Sequence, residues 1–405
     1  MNILFVHEVD WRSKVVFDIH NMAELLASRG HNVYAIDYEN QWRLRDLFRP
    51  GSFKTTEFPG ISRAMPGASV TLRHPGFVRL PILSRLTASC AQYREIQRTI
   101  REKSIDAIML YAVPTSGISA IRLARAAGIP VIFRSIDILH ELVPHALLRP
   151  ATRLLEKQVY RHADRILAIT PNHARYVQAL GAPPERVKTM LYPIDTAIFQ
   201  PGPEDGGLRG KCHIEKDAPV ILFIGTLFGF SGLDRFLRAF PEISRAVPES
   251  RLLIVGDGPQ RPTLEALIDK LGLAKQVTIT GFQPYQTMPL FIRLASVCIN
   301  TFLDTPATRD IFPGKIIQYL ACGKPAVATP LAGITSLVPD ESAGIIYAAS
   351  PEAMTAPVIE LLKNPARREQ VGRAGAEYVK AHHDQQAIAR QLEAEISELV
   401  SQNRR

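Results

Sequence analysis

Short apolar runs alternate with amphipathic stretches along most of the chain, a pattern typical of strands that alternate with helices. Near the N-terminus, an apolar run after Asn2 is followed by an amphipathic stretch that ends at Gly30, and a second apolar run covers Asn32–Ile36. Buried parallel strands show continuous apolar runs, whereas amphipathic helices repeat with a period near 3.6 residues. The same alternation fills residues 107–191 and 220–347. The pattern therefore predicts two doubly wound α/β domains.

The chain length and one shift in composition predict the domain boundaries. A chain of 405 residues exceeds the size of one ordinary core, which favours two domains of roughly 200 residues each. Residues 199–218 are rich in proline, glycine and charge, and we interpret them as a linker. We therefore expect a Rossmann-like domain over 1–198, a second over 219–383 and a final helical segment over 384–405. Two such domains face a cleft, the default place for a binding site.

Composition places the chain among soluble globular proteins of a reducing compartment. Hydrophobic residues make up 46% and charged residues 21%. The four cysteines are scattered without C-x-x-C spacing, which argues against both a disulfide framework and a zinc site. The N-terminus lacks the basic segment of a signal peptide, and no apolar run approaches the ~18 residues that span a bilayer. We therefore expect a cytoplasmic protein.

The positive charge of the chain is concentrated in one stretch. Of the formal net charge of +9, residues 42–103 hold 12 Lys and Arg against 4 Asp and Glu, a local net of +8. Isolated arginines among Phe, Leu, Ile and Pro over 42–90 suit a surface that lies on anionic lipid at the inner face of a membrane. The alternative is a variable connection followed by a helix at Leu83–Lys103 with its arginines in water. No nucleic-acid-binding motif accompanies the charge, so we expect no nucleic acid partner.

One stretch in the second half combines a short helix with groups that suit a phosphate. Residues 310–325 read D-I-F-P-G-K-I-I-Q-Y-L-A-C-G-K-P, which predicts a helix that begins at Lys315 and is closed by Gly323. Lys315 and Gln318 lie three residues apart on one face of its first turn, where free N–H groups favour an anion. A cation and an amide there suit a phosphate and a sugar hydroxyl. The alternative is a surface helix with a solvated lysine.

Several motifs recur in a characteristic order along the chain. The second half contains V-G-D-G-P at 255–259, V-T-I-T-G-F at 277–282 and P-G-K-I-I-Q-Y-L-A-C-G-K-P-A-V-A-T at 313–329. The first half contains S-R-G-H-N-V, A-D-R-I-L-A-I-T and I-D-T-A-I-F-Q-P. In order and spacing, these stretches resemble the group 1 glycosyltransferases of the GT-B fold over most of the chain.

The resemblance implies both an activity and a set of partners. It implies transfer of a sugar from a nucleoside-diphosphate donor, expected to be UDP-linked, which the C-terminal domain holds without a metal or other cofactor. The expected acceptor is lipid-linked or a polysaccharide precursor in bacterial-type exopolysaccharide or glycan biosynthesis. The resemblance also implies that the segment 384–405 returns to the first domain.

The resemblance assigns donor binding to residues of the second half. These are Gly225, Thr226, Gly256, Asp257, Gly258, Pro259, Gly281, Phe282, Arg309, Asp310, Gly314, Lys315, Gln318 and Tyr319. The chain departs from the family where Thr226 and Ser231-Gly232 replace an Arg and a Lys-Gly pair. Asp310 and Gln318 stand where the family has two glutamates, and the N-terminal glycine-rich loop is absent. Lys315, with Arg309 as a second cation, is left to neutralise the diphosphate.

The candidate catalytic residues follow the predicted strand at 131–134. Ile136 stands near the position where many members have a histidine, and Asp137 and His140 follow it. F-R-S-I-D together with K-I-I-Q-Y is similar to the bacterial xanthan-type glucuronosyltransferases, which implies Asp137 as the base. Such a base needs a raised pKa, which burial beside Ile136 and Ile138 would supply. An aspartate base favours inversion, whereas the general group 1 resemblance implies retention.

Other interpretations of the same residues stay open. Asp137 is alternatively the cap of the next helix, and His140 is either a solvated helix residue or a hydrogen-bond partner of the acceptor. A nicotinamide dehydrogenase is disfavoured, because G-D-G-P-Q-R-P lacks the third glycine and the acidic ribose partner. A nucleotide-sugar epimerase of the same fold has no need of the basic, apolar stretch. A non-catalytic nucleotide-binding or scaffold protein would account for the missing phosphate cations.

Overall fold

The computed structural model describes residues 1–13, 15–38, 51–78, 83–113, 115–143 and 146–403. The chain divides into two units. The first consists of Met1–Pro193 with Gln386–Arg405, and the second of Ile194–Gln385. The C-terminal segment thus belongs to the first unit, where Arg29 forms a bidentate ion pair with Glu393.

The described residues form strands and helices in nearly regular alternation. The strands are β1 (Asn2–Val6), β2 (Asn32–Ile36), β3 (Thr56–Ile61), β4 (Val70–His74), β5 (Ala107–Leu110), β6 (Val131–Ser135), β7 (Arg165–Ala168), β8 (Val187–Thr189), β9 (Val220–Ile224), β10 (Arg251–Val255), β11 (Val277–Ile279), β12 (Val297–Asn300), β13 (Ala326–Ala328) and β14 (Ile345–Tyr347). The helices are α1 (Asp18–Ser28), α2 (Leu83–Lys103), α3 (Gly117–Ala126), α4 (Arg149–His162), α5 (Pro171–Ala179), α6 (Leu208–Lys211), α7 (Leu233–Ala246), α8 (Arg261–Lys270), α9 (Met288–Leu294), α10 (Lys315–Ala321), α11 (Ala332–Thr335), α12 (Thr355–Lys363), α13 (Pro365–His382) and α14 (Gln385–Asn403).

The first unit is built on an eight-stranded sheet in the order β3-β4-β2-β1-β5-β6-β7-β8. Every neighbouring pair is parallel except β3 with β4. The chain fills the sheet in one direction from β1 and then in the other from β5, so the topological switch point lies between these two strands. Apolar side chains pack on both faces of the sheet, and α14 contributes Leu392 and Ile396 to one of the two cores.

The structure corrects the predicted connection within the stretch 42–90. Instead of an irregular segment, its described part contains β3 and β4 at the edge of the sheet. The strand pattern is hard to recognise, because β3 contains Pro59 and Gly60 and β4 contains the charged Arg73. Arg73 is nevertheless buried, since Glu57, Glu95 and Glu102 surround its guanidinium at 2.8–3.0 Å. Residues 42–50 and 79–82 lie outside the described residues.

The second unit contains a six-stranded parallel sheet in the order β11-β10-β9-β12-β13-β14. Its switch point lies between β9 and β12. Residues 199–218, predicted as a linker, belong to this unit, where Leu208, Cys212 and Ile214 are buried around α6. Both units therefore have the doubly wound α/β architecture expected from the sequence. No helix in the described part of the chain is both long and apolar enough to cross a bilayer.

Candidate active site

The predicted donor-binding residues collect at the carboxyl edge of the second sheet. Parallel strands all end at one edge, so the loops that follow β11, β10, β9 and β12 lie side by side in this order. These loops hold Gly225 and Thr226, Gly256–Pro259, Gly281 and Phe282, and the residues that lead to Lys315. In open α/β sheets, ligands bind outside this edge at the switch point. The place between β9 and β12 is therefore the candidate site of this unit.

Glycines allow the first two of these loops to touch through their backbones. Gly256 has φ +153°, and a Cβ atom on it would lie 2.0 Å from the carbonyl oxygen of Gly225. Any other residue would force the two loops apart. Gly256 also pairs with Gly281 in an isolated bridge. The structure thus brings together three glycines that the sequence assigned to one pocket.

Lys315 is the most unusual side chain at this edge. Its ammonium is buried and has no hydrogen-bond partner among the described residues. The Nζ atom lies 3.7 Å from the ring centroid of Phe223 and 4.1 Å from that of Phe302. A Cβ atom on Gly225 would lie 3.5 Å from Nζ. Burial lowers the Lys315 pKa well below its usual value. The alternative of a solvated surface lysine is therefore wrong.

The two aromatic rings explain how the buried Lys315 side chain is held in position without a carboxylate partner. Phe223 is on β9 and Phe302 comes two residues after β12, so one ring comes from each side of the switch point. Ring faces attract an ammonium and fix its position, but they donate no negative charge. An unpaired buried cation has a strong unmet demand for an anion. The arrangement thus suits a phosphate-bearing ligand.

Asp257 and Arg261 organise the loop after β10. Asp257 accepts the Gly258 N–H at 2.7 Å and pairs with Arg261 at 2.9 Å, and the Gly258 hydrogen bond contributes most to its lowered pKa. Arg261 was not singled out from the sequence. Its Nη1 atom would lie 3.4 Å from a Cβ atom on Gly281, so it adds a cation to this edge. The available signal was its place four residues after Asp257, in the G-D-G-P-Q-R-P motif at the start of α8.

The remaining donor-site candidates differ in how directly a ligand can reach them. Gln318 is nearly buried on α10, whereas Tyr319 is fully buried and its hydroxyl accepts the N–H of Ile224. Tyr319 therefore supports the end of β9. Arg309 is mostly exposed and is paired with Asp304 at 2.9 Å. Phe282 is exposed at the edge of the sheet. Partial or full exposure is also found at Thr226, Pro259, Asp310 and Gly314.

In the first unit, Asp137 follows β6 at the carboxyl edge of the sheet. It is half-buried, and the neighbouring Ile138 is buried. Its role as a base stays a prediction. The next helical turn among the described residues begins at Ala146 and leads into α4, whose N-cap is Leu148. Asp137 is therefore not adjacent to the start of a described helix. This position disfavours the helix-cap interpretation.

His140 belongs to a network that local sequence patterns do not reveal. Its Nδ1 atom lies 2.8 Å from Glu156, whose carboxylate is fully buried and also accepts hydrogen bonds from Tyr160 and Tyr176 at 2.9 and 3.0 Å. A buried carboxylate fixes the orientation of the imidazole. The histidine side chain is about one-eighth exposed and lines a cavity of about 620 Å³. Its outer nitrogen, Nε2, lies 3.5 Å from Glu141, which lines the same cavity.

Glu8 is another acidic residue that sequence reasoning did not single out. It follows β1, beside β5, and therefore lies at the switch point of the first sheet. Its carboxylate accepts the Thr115 N–H at 2.6 Å and the Ser116 N–H at 3.2 Å, and Arg85 approaches to 3.5 Å. Burial raises the Glu8 pKa. These hydrogen bonds join the segments that follow β1 and β5. Glu8 therefore helps to shape any binding site at the switch point of this sheet.

Comparison with known families matches both units. Residues 16–192 match a family model described as a glycosyl transferase 4-like domain, and residues 218–364 match one described as glycosyl transferases group 1. The GDP-mannose-dependent alpha-(1-6)-phosphatidylinositol monomannoside mannosyltransferase of Mycolicibacterium smegmatis is 30% identical over 312 residues, which cover 75% of this chain and 78% of that protein. The D-inositol 3-phosphate glycosyltransferase of Segniliparus rotundus is 30% identical over 56% of this chain, and the match spans 51% of that relative's length.

Solved structures extend the similarity to the whole chain at the level of the fold. Anabaena Alr3699/HepE in complex with UDP matches with a TM-score of 0.73 and 16% identity, covering 98% of this chain and all of that one. Sucrose-phosphate synthase of Thermosynechococcus elongatus matches with a TM-score of 0.75 and 17% identity, covering 99% and 100%. These similarities confirm the predicted GT-B fold class. The local similarity to xanthan-type enzymes stays a prediction.

Proposed function

Since the chain belongs to the group 1 glycosyltransferases, we propose that it transfers a sugar from a nucleoside-diphosphate donor to a hydroxyl group of an acceptor. The observation that carries this proposal is the buried, unpaired ammonium of Lys315 at the switch point of the second sheet. A diphosphate supplies the charge that this ammonium lacks. The nearby backbone of Gly225 leaves space for close approach of its oxygens.

The donor side of the reaction requires stabilisation of a leaving diphosphate. As the bond between the anomeric carbon and the phosphate oxygen breaks, negative charge develops on that oxygen. A fixed cation in a site that excludes water stabilises such charge far more than one in water does. Lys315 has this role in the proposed mechanism, and Gln318 donates a neutral hydrogen bond to a ribose hydroxyl. We propose that transfer requires no metal ion or other cofactor.

The acceptor side requires a group that removes the hydroxyl proton. Asp137 is proposed as this base, because it is half-buried at the carboxyl edge of the first sheet beside Ile138. His140 is proposed to hydrogen-bond the acceptor, since Glu156 fixes its ring from behind. An aspartate base acting on the hydroxyl favours direct displacement with inversion at the anomeric carbon, whereas the group 1 family favours retention.

The donor and acceptor classes are proposed from the relatives and the sequence. UDP is the expected nucleotide, which the UDP complex of the Anabaena protein supports, and GDP is the competing one because a relative is named as GDP-mannose-dependent. A lipid-linked or polysaccharide-precursor acceptor is supported by the phosphatidylinositol mannoside in that relative's name. We propose a role in bacterial-type exopolysaccharide or glycan biosynthesis on the inner face of the membrane.

Contact of the basic stretch 42–103 with anionic lipid stays a prediction. Carboxylates neutralise part of its described charge, because Arg73 is surrounded by three glutamates and Arg98 pairs with Glu102. Arg94 and Arg101 on α2 remain exposed. Arg43, Arg45, Arg49 and Arg79 lie outside the described residues.

Nucleotide binding tests the donor site directly. We expect UDP, or GDP, to raise the melting temperature of the purified chain, whereas ADP and NAD should not. A ligand at about 100 times its Kd adds roughly 2.7 kcal/mol to the free energy of unfolding. The shift should persist in EDTA, because the proposed site contains no metal. A shift with NAD alone, or with no nucleotide, would contradict the proposal, and binding without sugar transfer to any lipid-linked acceptor would favour a non-catalytic protein.

Replacement of Asp137 tests the proposed base. We expect Asp137→Asn to lower kcat by about 100-fold, because general base catalysis typically contributes that much. The nucleotide-induced melting shift should remain, since the residue is in the other unit from the donor site. Steady-state transfer kinetics with the lipid-linked acceptor provide the measurement, with Asp106→Asn as a matched control outside the candidate site. Turnover within a few-fold of the parent would show that another group is the base.

A further inference from the structure

Four leucines near the start of α4 are exposed on the first unit. Leu142, Leu147, Leu148 and Leu154 have exposed fractions of 47%, 94%, 54% and 57%. Single exposed leucines are common on protein surfaces, but a group of them marks a place of interaction. These four make up a large share of the exposed large hydrophobic side chains in the described part of the chain.

The helix geometry sets the leucines beside positive charge. Leu147 lies in the 3-10 turn Ala146–Leu148 that leads into α4, Ala151 and Leu154 lie on α4 itself, and all three are exposed. Arg153 and Lys157 are separated by four residues on the same helix. Both cations line the cavity of about 620 Å³ together with Leu154. We call Leu142, Leu147, Leu148, Arg153, Leu154 and Lys157 the α4 surface.

The positive charge of the α4 surface is not compensated by α4 itself. The one carboxylate of this helix, Glu156, points into the unit, where His140 and two tyrosines bind it. Arg153 and Lys157 form no ion pair with any described residue. Arg149 differs from them, because it pairs with Glu141 at 2.9 Å. The outer side of α4 is therefore both apolar and cationic.

We infer that the α4 surface binds the surface of an anionic lipid membrane. Leucine side chains enter the boundary between headgroups and acyl chains, while Arg153 and Lys157 pair with lipid phosphates. Glu141 beside Leu142 is neutralised by Arg149, so the unpaired charge beside the leucines is positive. That charge matches an anionic bilayer, whereas a second copy of the same surface would set cations against cations. The inference rests on the proposed function in one respect: the membrane that binds the α4 surface would be the one that carries the lipid-linked acceptor. It places this contact on α4, outside the basic stretch 42–103.

Vesicle co-sedimentation of the full-length protein tests the inference. We expect binding to vesicles of phosphatidylglycerol mixed with phosphatidylcholine, weaker binding in high salt, and little binding to phosphatidylcholine alone. Because each cation near such a surface contributes about five-fold to partitioning, the double variant R153E/K157E should bind at least roughly 25-fold more weakly. The double variant L147S/L154S should lose roughly ten-fold. Arg238→Glu, at an exposed cation of α7, should bind like the parent.

The competing outcomes are separable. Parent-like vesicle binding by both α4 variants would overturn the inference. Loss of vesicle binding in L86S/R94E on α2, but not in the α4 variants, would also overturn it. So would an L147S/L154S variant that changes only the oligomeric state, measured by light scattering. The nucleotide-induced melting shift should stay intact in the α4 variants, which shows that they fold. If the parent binds vesicles but no nucleotide, the proposed function fails while the α4 surface stands.

Discussion

Replacement of Lys315 by methionine should stabilise the free protein and at the same time nearly abolish donor use. Methionine has almost the length of the lysine side chain but carries no polar group into the space between Phe223 and Phe302. A buried group without a hydrogen-bond partner costs about 1 to 3 kcal/mol, so the free energy of unfolding should rise by about this amount. The change in stability and the change in function thus have opposite signs.

The functional loss follows from the charge that the diphosphate would meet. Hydrogen bonds to charged groups contribute about 1.5 to 3 kcal/mol, which corresponds to roughly 10- to 150-fold in nucleotide affinity. A further loss of about 100- to 1,000-fold in kcat is expected, because the cation also stabilises charge that develops on the leaving oxygen. Differential scanning calorimetry and transfer kinetics measure the two effects. Lys270→Met, at an exposed lysine of α8, is the matched control and should change neither.

The pH dependence gives Lys315 a second signature. Its pKa in the free protein is lowered by burial from the ordinary value of 10.5, so the unfolded chain binds more protons than the folded one between the folded-state pKa and 10.5. The contribution of Lys315 to stability therefore becomes more favourable as pH rises towards 10.5. A bound diphosphate raises the Lys315 pKa again, so binding takes up a proton between the two folded-state pKa values and weakens as pH rises through that window.

Calorimetry in buffers of different ionisation enthalpy measures this proton uptake. At about pH 8 the terminal phosphate of the nucleotide is already ionised, since its pKa is near 6, so the uptake belongs to the protein. Over a pH series from about 8 towards 10.5, we expect the parent to take up a proton on nucleotide binding and Lys315→Met to take up none. Equal uptake by the two proteins would show that the ammonium does not meet the phosphate.

The sequence predicted those elements whose pattern is unbroken. β9 and β10 are such elements, because continuous apolar runs cover Val220–Ile224 and most of Arg251–Val255. β3 and β4 were missed, because a buried arginine and a proline interrupt them. The charge of Arg73 is compatible with a buried strand only through three glutamates, two of them on α2, and such compensation is invisible in a local window.

The candidate site shows the same division between local and distant information. The position of Lys315 at the start of a helix followed from local signals, but its burial did not, because Phe223 and Phe302 come from two other segments. Glu156 and Glu8 were overlooked for the same reason. Each is an ordinary acidic residue in the sequence. Glu156 becomes important only because folding places it against His140, after β6, and Glu8 only because folding places it against Thr115, after β5.

Asp18→Asn, which removes the Asp18 charge, should destabilise the first unit strongly. We expect a larger loss than for the same kind of substitution at any other described ion pair of that unit. Arg134 on β6 and Asp18 on α1 form a bidentate pair at 3.0 and 2.8 Å, and both side chains are almost completely buried. The guanidinium also donates to the Met190 carbonyl at 2.6 Å, and Asp18 accepts from the Tyr111 hydroxyl at 2.8 Å. Arg134, part of the F-R-S-I-D motif, therefore anchors α1 to the strand that presents Asp137.

Asp18→Asn keeps the shape of the side chain but leaves the Arg134 charge buried without its counterion. Breaking a buried pair in this way costs about 3 to 5 kcal/mol, so we expect that loss in the free energy of unfolding. Both tryptophans of the chain, Trp11 and Trp42, belong to the first unit, so urea unfolding followed by tryptophan fluorescence reports on it alone.

A second ion pair in the same unit has similar hydrogen-bond geometry but is more exposed. Comparing the two pairs shows how much of the stability loss is due to burial. Arg29 and Glu393 form an equally short bidentate contact, at 2.8 Å for both bonds, but about a quarter of each side chain is exposed. Glu393→Gln should therefore cost at most about 1 kcal/mol. The double variant R134M/D18L should recover most of the stability lost in Asp18→Asn, because an apolar pair leaves no charge uncompensated. If Asp18→Asn and Glu393→Gln cost the same, water must reach Arg134, and the strand before Asp137 is held by packing alone.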